Sequence, residues 1–271
     1  MAKSIDFSVI APPDYLEVFV GQEPARVHHV AAQRVLADLA YRAFFRREAE
    51  RGAEIIVDNG VFDLGHALPA ADLIAAAHAV NAREIVLPDV MQDGPATIKA
   101  SDQAAREIRD LSDGFRLCAV VHAADDAEWL HCYDHFVSCG YIGAIALPAS
   151  RRPAPEEQLC RTRWAATRYL EDRGMVEKGI IYRLLGLGRT GHLELIEQRE
   201  HEWIASVDGA APVILGAMGI TMLLGGPYEK PKTPRIEDLG SIPADRFDLI
   251  RQNIAVVREA AGSSVRISEA R

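Results

Sequence analysis

A chain of 271 residues with 49% apolar content can bury a large core, so length alone allows one α/β barrel or two small domains, and pattern has to decide. The formal charge of −9, from 39 acidic and 30 basic residues, excludes a general attraction to nucleic acid, so any such binding needs a local basic patch. The start, MAKSIDFSVIAPPDY, has one Lys and a short apolar run, and no stretch has the length of a membrane span; the expectation is a cytoplasmic protein with no membrane partner.

In chain order, apolar runs recur about every thirty residues: FSVIA near 7–11, EIIV at 54–57, EIVL at 84–87, RLCAVV at 116–121, IGAIAL at 142–147, GIIYRLL at 179–185 and WIASV at 203–207. Helix-like segments such as AADLIAAAHAVNA and PATIKASDQAAREIRDL lie between them. Strands alternating with helical patterns, without repeats, indicate βα units on a parallel sheet. Seven strand candidates in one chain of this size favour a (β/α)8 TIM barrel filling residues 1–271, with the eighth strand expected after Pro212. The Gly/Pro-rich stretch at 225–243 reads as a long loop before a closing helix at about 245–261.

Cys118, Cys132, Cys139 and Cys160 form no CxxC pair, which argues for reduced thiols rather than a zinc ribbon or a disulfide framework. HCYDHFVSC does put His131, His135 and Cys139 at helical spacing, a conceivable metal site; the plain alternative is an amphipathic helix packed outside the barrel.

The residues just past each strand carry the chemistry. Asp58 follows EIIV and is itself followed by Asn59-Gly60, where glycine frees the backbone for a sharp turn. Pro88-Asp89 follows EIVL, His122 follows CAVV, Pro148 follows IGAIAL, Gly186-Leu187-Gly188 follows YRLL, and Asp208-Gly209 follows IASV. In a parallel barrel these positions share the catalytic rim, so three carboxylates and a histidine from four strands are expected to converge. Singly, each Asp reads equally well as a helix N-cap.

Here the chain resembles the tRNA-guanine transglycosylases and their relatives that install 7-deazaguanine bases. The resemblance spans about residues 50–220, as an ordered series of VDNGVF, VLPDV, VVHA, IGAIAL, RLLGLG and SVDGAAPV. It implies Asp208 as nucleophile and Asp58 as acid/base, with Phe62 stacking on one face of the base and Leu185 packing on the other. It makes Asp89 the partner of the base edge and puts His122 where the family has a Gln. Asn59, Gly60, Ala146, Leu147 and Gly186 complete the implied base pocket. The family's tRNA enzymes carry a CxCxxC...H zinc site after the nucleophile, and here no cysteine follows Cys160. The chain is also shorter, like the compact phage and bacterial relatives that act on DNA. The implied polymer is therefore DNA, with tRNA the alternative, a 7-deazaguanine base is the small substrate, and no metal or other cofactor is called for. The oligomeric state stays open, a homodimer being one option.

The chemistry suits these residue types. Exchanging a base with retention needs two inversions through a covalent intermediate, as in retaining glycoside hydrolysis. Asp208 must be ionised for attack, and Asp58, as proton carrier, calls for a pKa raised by burial or neighbouring carboxylates. Arg151, Arg152 and Arg189 are the favoured contacts to the polymer backbone, with Arg161-Arg163-Arg168 and Lys230-Lys232-Arg235 as further cations. Two other functions stay open: a non-catalytic transglycosylase-like partner subunit, and a barrel hydrolase acting on a small nucleoside or metabolite.

Overall fold

A computed structural model describes residues 4–22, 25–112, 114–149, 159, 162–187, 192–225 and 232–263. Its eight strands are β1 (Asp6–Val9), β2 (Val27–Ala31), β3 (Glu54–Asp58), β4 (Glu84–Val86), β5 (Arg116–Val120), β6 (Ile142–Pro148), β7 (Ile181–Leu185) and β8 (Ile204–Gly209). All paired neighbours are parallel, in the order β1-β8-β7-β6-β5-β4-β3-β2. Across the seam between β1 and β2, the His29 backbone N–H donates to Ser8 Oγ at 2.8 Å. With helices outside, the chain is a (β/α)8 TIM barrel.

One expectation is corrected. The eighth strand does not lie beyond Pro212, where Ala211–Ala217 is helical; it is β2, VHHVA, second in the chain. Two histidines in five residues mask its apolar alternation. IGAIAL is therefore the sixth strand and WIASV the eighth.

Alternation along each strand sorts side chains into two layers. Ile55 and Val57 of β3 pack outward in the main core between barrel and helices, while Ile56 faces a lumen layer with Val27, Val86, Cys118, Val120, Ala144 and Ala146. Glu54 and Asp58 share the inward face with Ile56, one at each end of the strand. At the amino-terminal end the lumen is filled by ions. Arg183 donates to Glu84 Oε1 and Oε2 at 2.7 Å each, to Glu54 Oε1 at 2.6 Å and to Ser206 Oγ at 2.8 Å. Arg116 closes the cluster on Glu54 at 2.6 Å and Glu84 at 3.0 Å.

The expected helices form at Ala70–Ala79 and Gly94–Leu111, and Phe247–Ala260 closes the chain after the loop. Asp125 caps the helix Asp126–Ser138, which buries Trp129, Cys132, Tyr133 and Phe136 against the barrel. Each fully buried side chain of this size contributes on the order of 1.5–3 kcal/mol. That burial turns Cys132 away from His135, which instead meets Asp102 at 3.0 Å and Cys139 Sγ at 3.6 Å, while His131 is exposed. Asp102, His135 and Cys139 are the one set of three His, Cys or acidic residues among the described residues whose ligand atoms all lie within 4.8 Å of one another, and they lie on the outer helices. Cys118, Cys132 and Cys139 are free thiols; Cys160 lies outside the described residues. No described helix is long and apolar enough to cross a membrane.

Candidate active site

A cavity of about 1080 Å³ opens at the carboxyl ends of the strands, and Asp58, Asp89, His122 and Asp208 all line it. The four polar groups that end different strands in the sequence thus share one chamber. None of the three aspartates caps a helix; those caps are Asp38, Asp93 and Asp125. A smaller hollow of about 500 Å³, beside Arg109 and Tyr141, has no carboxylate, histidine or cysteine among its described lining residues.

The centre of the site is a histidine. His29, on β2, places Nε2 3.1 Å from Asp58 Oδ2 and Nδ1 3.8 Å from Asp208 Oδ1, the second an ion-pair distance beyond hydrogen-bond length. Only 7% of its side chain is exposed. Burial works against its charge, but Asp208 and then Asp58 outweigh burial and raise its pKa above the ordinary value. Asp58 Oδ1 accepts from the Gly60 N–H at 2.8 Å, and Asp208 Oδ1 accepts from the Gly186 N–H at 3.0 Å. Gly60 reaches that position at φ +86° and Gly186 at φ +71°, left-handed backbone that other residues adopt at a cost.

These contacts overturn the ionisation expected of Asp58. Burial pushes its carboxyl up, but the His29 imidazole and the Gly60 N–H more than offset this and hold it below the usual range. Asp208 shifts the other way: burial raises it, only partly countered by His29 and the Gly186 N–H. Two carboxylates around one imidazole are thereby driven apart in acidity, a pattern typical of acid/base sites.

Across the chamber, Asn59 Nδ2 donates to Asp89 Oδ1 at 2.7 Å and to the Leu87 carbonyl at 2.6 Å, while its Oδ1 accepts from the Val61 N–H at 2.8 Å. Asn59 is thereby committed to protein partners and orients Asp89, where direct contact with a base was expected of it. His122 Nε2 lies 2.9 Å from Asp89 Oδ2. Each Asp89 oxygen keeps a lone pair for a further donor.

Leu147, Leu185 and Gly186 line the cavity; Phe62 stands at its mouth, 66% exposed. Gly60 and Ala146 do not reach it: Gly60 shapes the turn and Ala146 belongs to the lumen layer beneath. Arg163 is not the surface cation expected from sequence. It is buried, gripping Glu194 through Nε at 2.7 Å and Nη2 at 2.8 Å and donating Nη1 to the carbonyls of Leu185 (3.0 Å) and Leu147 (3.2 Å). It ties together the ends of β6 and β7. Among the described residues, Arg34 and Arg235 are the cations at the mouth, near Asp63 and Glu237. Arg151, Arg152 and Arg189 lie outside the described residues.

No family model and no curated protein matches the chain. Among solved structures it is similar to KGPDC from Streptococcus mutans, at TM-score 0.50 and 13% identity over 95% of this chain and 99% of that one. The YdjI aldolase from Escherichia coli K12 matches at TM-score 0.50 and 13% identity, over 95% and 88%. The tryptophan synthase alpha chain from Legionella pneumophila subsp. pneumophila matches at TM-score 0.50 and 14% identity, over 99% and 94%. At these identities the likeness carries the barrel fold alone.

Proposed function

We propose that the chain is a base-exchanging transglycosylase that replaces a guanine in nucleic acid, DNA in preference to tRNA, by a 7-deazaguanine. The observation that carries this reading is the grouping of Asp58 and Asp208 about His29, with a third carboxylate, Asp89, oriented across the same cavity by Asn59 and His122. A retaining exchange needs one carboxylate to attack the anomeric carbon, a second to handle the proton of the base nitrogen, and an acceptor for the N–H groups of a guanine-like edge. Asp208, Asp58 and Asp89 supply these in that order. Burial keeps the Asp208 carboxylate basic, which favours attack, and the imidazole beside it stabilises the carboxylate released later.

The base would enter past Phe62 and lie over Leu185, extruded from a duplex at a cost of a few kcal/mol or taken from a single strand. No step requires a metal. The deciding experiment incubates the protein with labelled guanine and DNA or tRNA, and analyses nucleosides from both polymers by mass spectrometry after expression in cells. Label in one polymer, or a 7-deazaguanine nucleoside in it, supports the reading and names the polymer. Turnover of a free nucleoside with neither polymer labelled would replace it by the small-molecule hydrolase.

A further inference from the structure

We propose that His29 is a positioning residue that stores the proton of the exchange behind Asp58 and gives it up as Asp208 becomes an ester. The inference rests on the base-exchange reading above. His29 is fixed at the barrel seam by its own N–H on Ser8 Oγ at 2.8 Å, and its ring sits 3.1 Å from Asp58 and 3.8 Å from Asp208. The groups that face it are Asp58 from β3, Asp208 from β8, the uncharged Ser8 from β1 and, from below in the lumen, Arg183 of β7.

One imidazolium between two carboxylates gives the trio a single net negative charge. In the first half-reaction an Asp208 oxygen bonds to the anomeric carbon, and the bond to guanine breaks with its electron pair on the departing nitrogen. A proton passes from His29 Nε2 to Asp58 Oδ2, and from Asp58 to that nitrogen. The trio is then a neutral ester, a neutral imidazole and one carboxylate, so its charge is unchanged. In the second half the incoming base gives its N–H proton through Asp58 to His29 as its nitrogen bonds to carbon, and Asp208 leaves as a carboxylate. Neither half-reaction changes the net charge of the trio, so no charge has to be gained or lost in a buried setting. An Asp58 that rests as a carboxylate can serve as acid because the proton waits one residue behind it.

The test has two arms on the full chain. In the first, the His29 imidazole is titrated by NMR in the wild type and in Asp208→Asn. Loss of the Asp208 charge is expected to lower the midpoint by at least about one pH unit. In the second, His29→Gln keeps a donor toward Asp58 but stores no proton. Its kcat is expected to fall on the order of 10²–10⁴-fold at neutral pH and to recover as pH falls, with binding of free 7-deazaguanine nearly unchanged. A midpoint that ignores Asp208→Asn, or His29→Gln with wild-type kcat and pH profile, overturns the inference. A wild-type chain whose His29 titrates as described but which exchanges no guanine overturns the base-exchange reading instead.

Discussion

At the amino-terminal end of the barrel Glu54, Glu84, Arg116 and Arg183 face one another in the lumen, whereas at the carboxyl end Asp58, Asp208, Asp89, His29 and His122 face a cavity. Both sets sit on the inward faces of neighbouring strands, and Glu54 and Asp58 are opposite ends of the same one. The lower set is closed on itself by ion pairs: Glu84 has no exposed side-chain surface and the guanidiniums fill its lone pairs, while Glu54 and Arg116 reach the surface already paired. In the upper set the carboxylates keep lone pairs aimed at open space, and the imidazole between two of them can change charge. Ionic groups at the end of a strand are therefore no sign of chemistry by themselves. What separates a structural cluster from a reactive one is whether partners saturate it and whether it opens to a space that a substrate can fill.

Breaking the open end should have the largest effect. Asp208→Asn removes the proposed nucleophile, so exchange of labelled guanine is expected to fall on the order of 10⁴-fold or more. The Asn side-chain oxygen can still accept from the Gly186 N–H, so the circular dichroism spectrum and unfolding midpoint should remain close to wild type. Turnover that survives this change would remove Asp208 from the mechanism.

Breaking the closed end should cost far more stability than chemistry. Arg183→Met leaves Glu84 buried without its main partner, a change expected to destabilise by about 3–5 kcal/mol in denaturant unfolding. The folded fraction should retain most of its kcat, because Arg183 does not line the cavity, with its pH profile moved upward by loss of the guanidinium that faces His29. Pairing that variant with Glu84→Leu should recover much of the loss. A loss of kcat without a loss of stability would show that the lower cluster reaches the site.

A smaller effect is expected where the cavity recognises its substrate. Asp89→Asn keeps the shape but turns one acceptor oxygen into a donor facing the N–H groups of a guanine-like edge. Calorimetry with free 7-deazaguanine should show binding weakened by about 1–3 kcal/mol, with the unfolding midpoint little changed. Equal affinity for both proteins would place the base elsewhere in the chamber.

The open end was more legible in sequence than the closed one, and for a physical reason. VDNGVF, VLPDV and SVDGAAPV announce their aspartates because a polar residue and a glycine or proline break an apolar run there. Glu54, Glu84 and Arg183 stand in or beside such runs with nothing to mark them as lumen residues, since partner choice across the barrel is set by register between strands far apart in the chain. His29 was missed with its strand: VHHVA lacks the continuous apolar character of the others, although Val27, His29 and Ala31 keep the period of two. Asn59 could be placed at the rim but not given its task, because its hold on Asp89 depends on how two loops approach.

The two ends should also differ in how pH acts on stability, a smaller effect that sharpens the contrast. At the closed end Arg183 and Arg116 both have raised pKa values, burial being outweighed by Glu84 and Glu54, so their charges persist across the working range. At the open end the His29 pKa is raised, so its contribution is complete below the unfolded histidine value and is lost as pH rises through the folded value. The Asp58 pKa is lowered, so its contribution is complete above the unfolded carboxylate value and is lost as pH falls through the folded one. Both are whole only between about pH 3.9 and 6.5, the unfolded references. The raised Asp208 pKa also favours the protonated fold, but its loss begins at the unfolded carboxylate value of about 3.9 and so starts at the lower edge of that window, well before the histidine loss. Unfolding free energy measured from pH 6 to 9 should therefore decline in the wild type, by about 1.4 kcal/mol for each unit by which the folded His29 pKa exceeds its unfolded value. In His29→Gln that decline should vanish, while Arg183→Met should lower the whole curve and, by removing the guanidinium that holds the His29 pKa down, carry the decline to higher pH. A wild-type curve flat above pH 6, or one that His29→Gln leaves unchanged, would mean that the histidine between the two aspartates does not hold its proton more tightly in the folded chain.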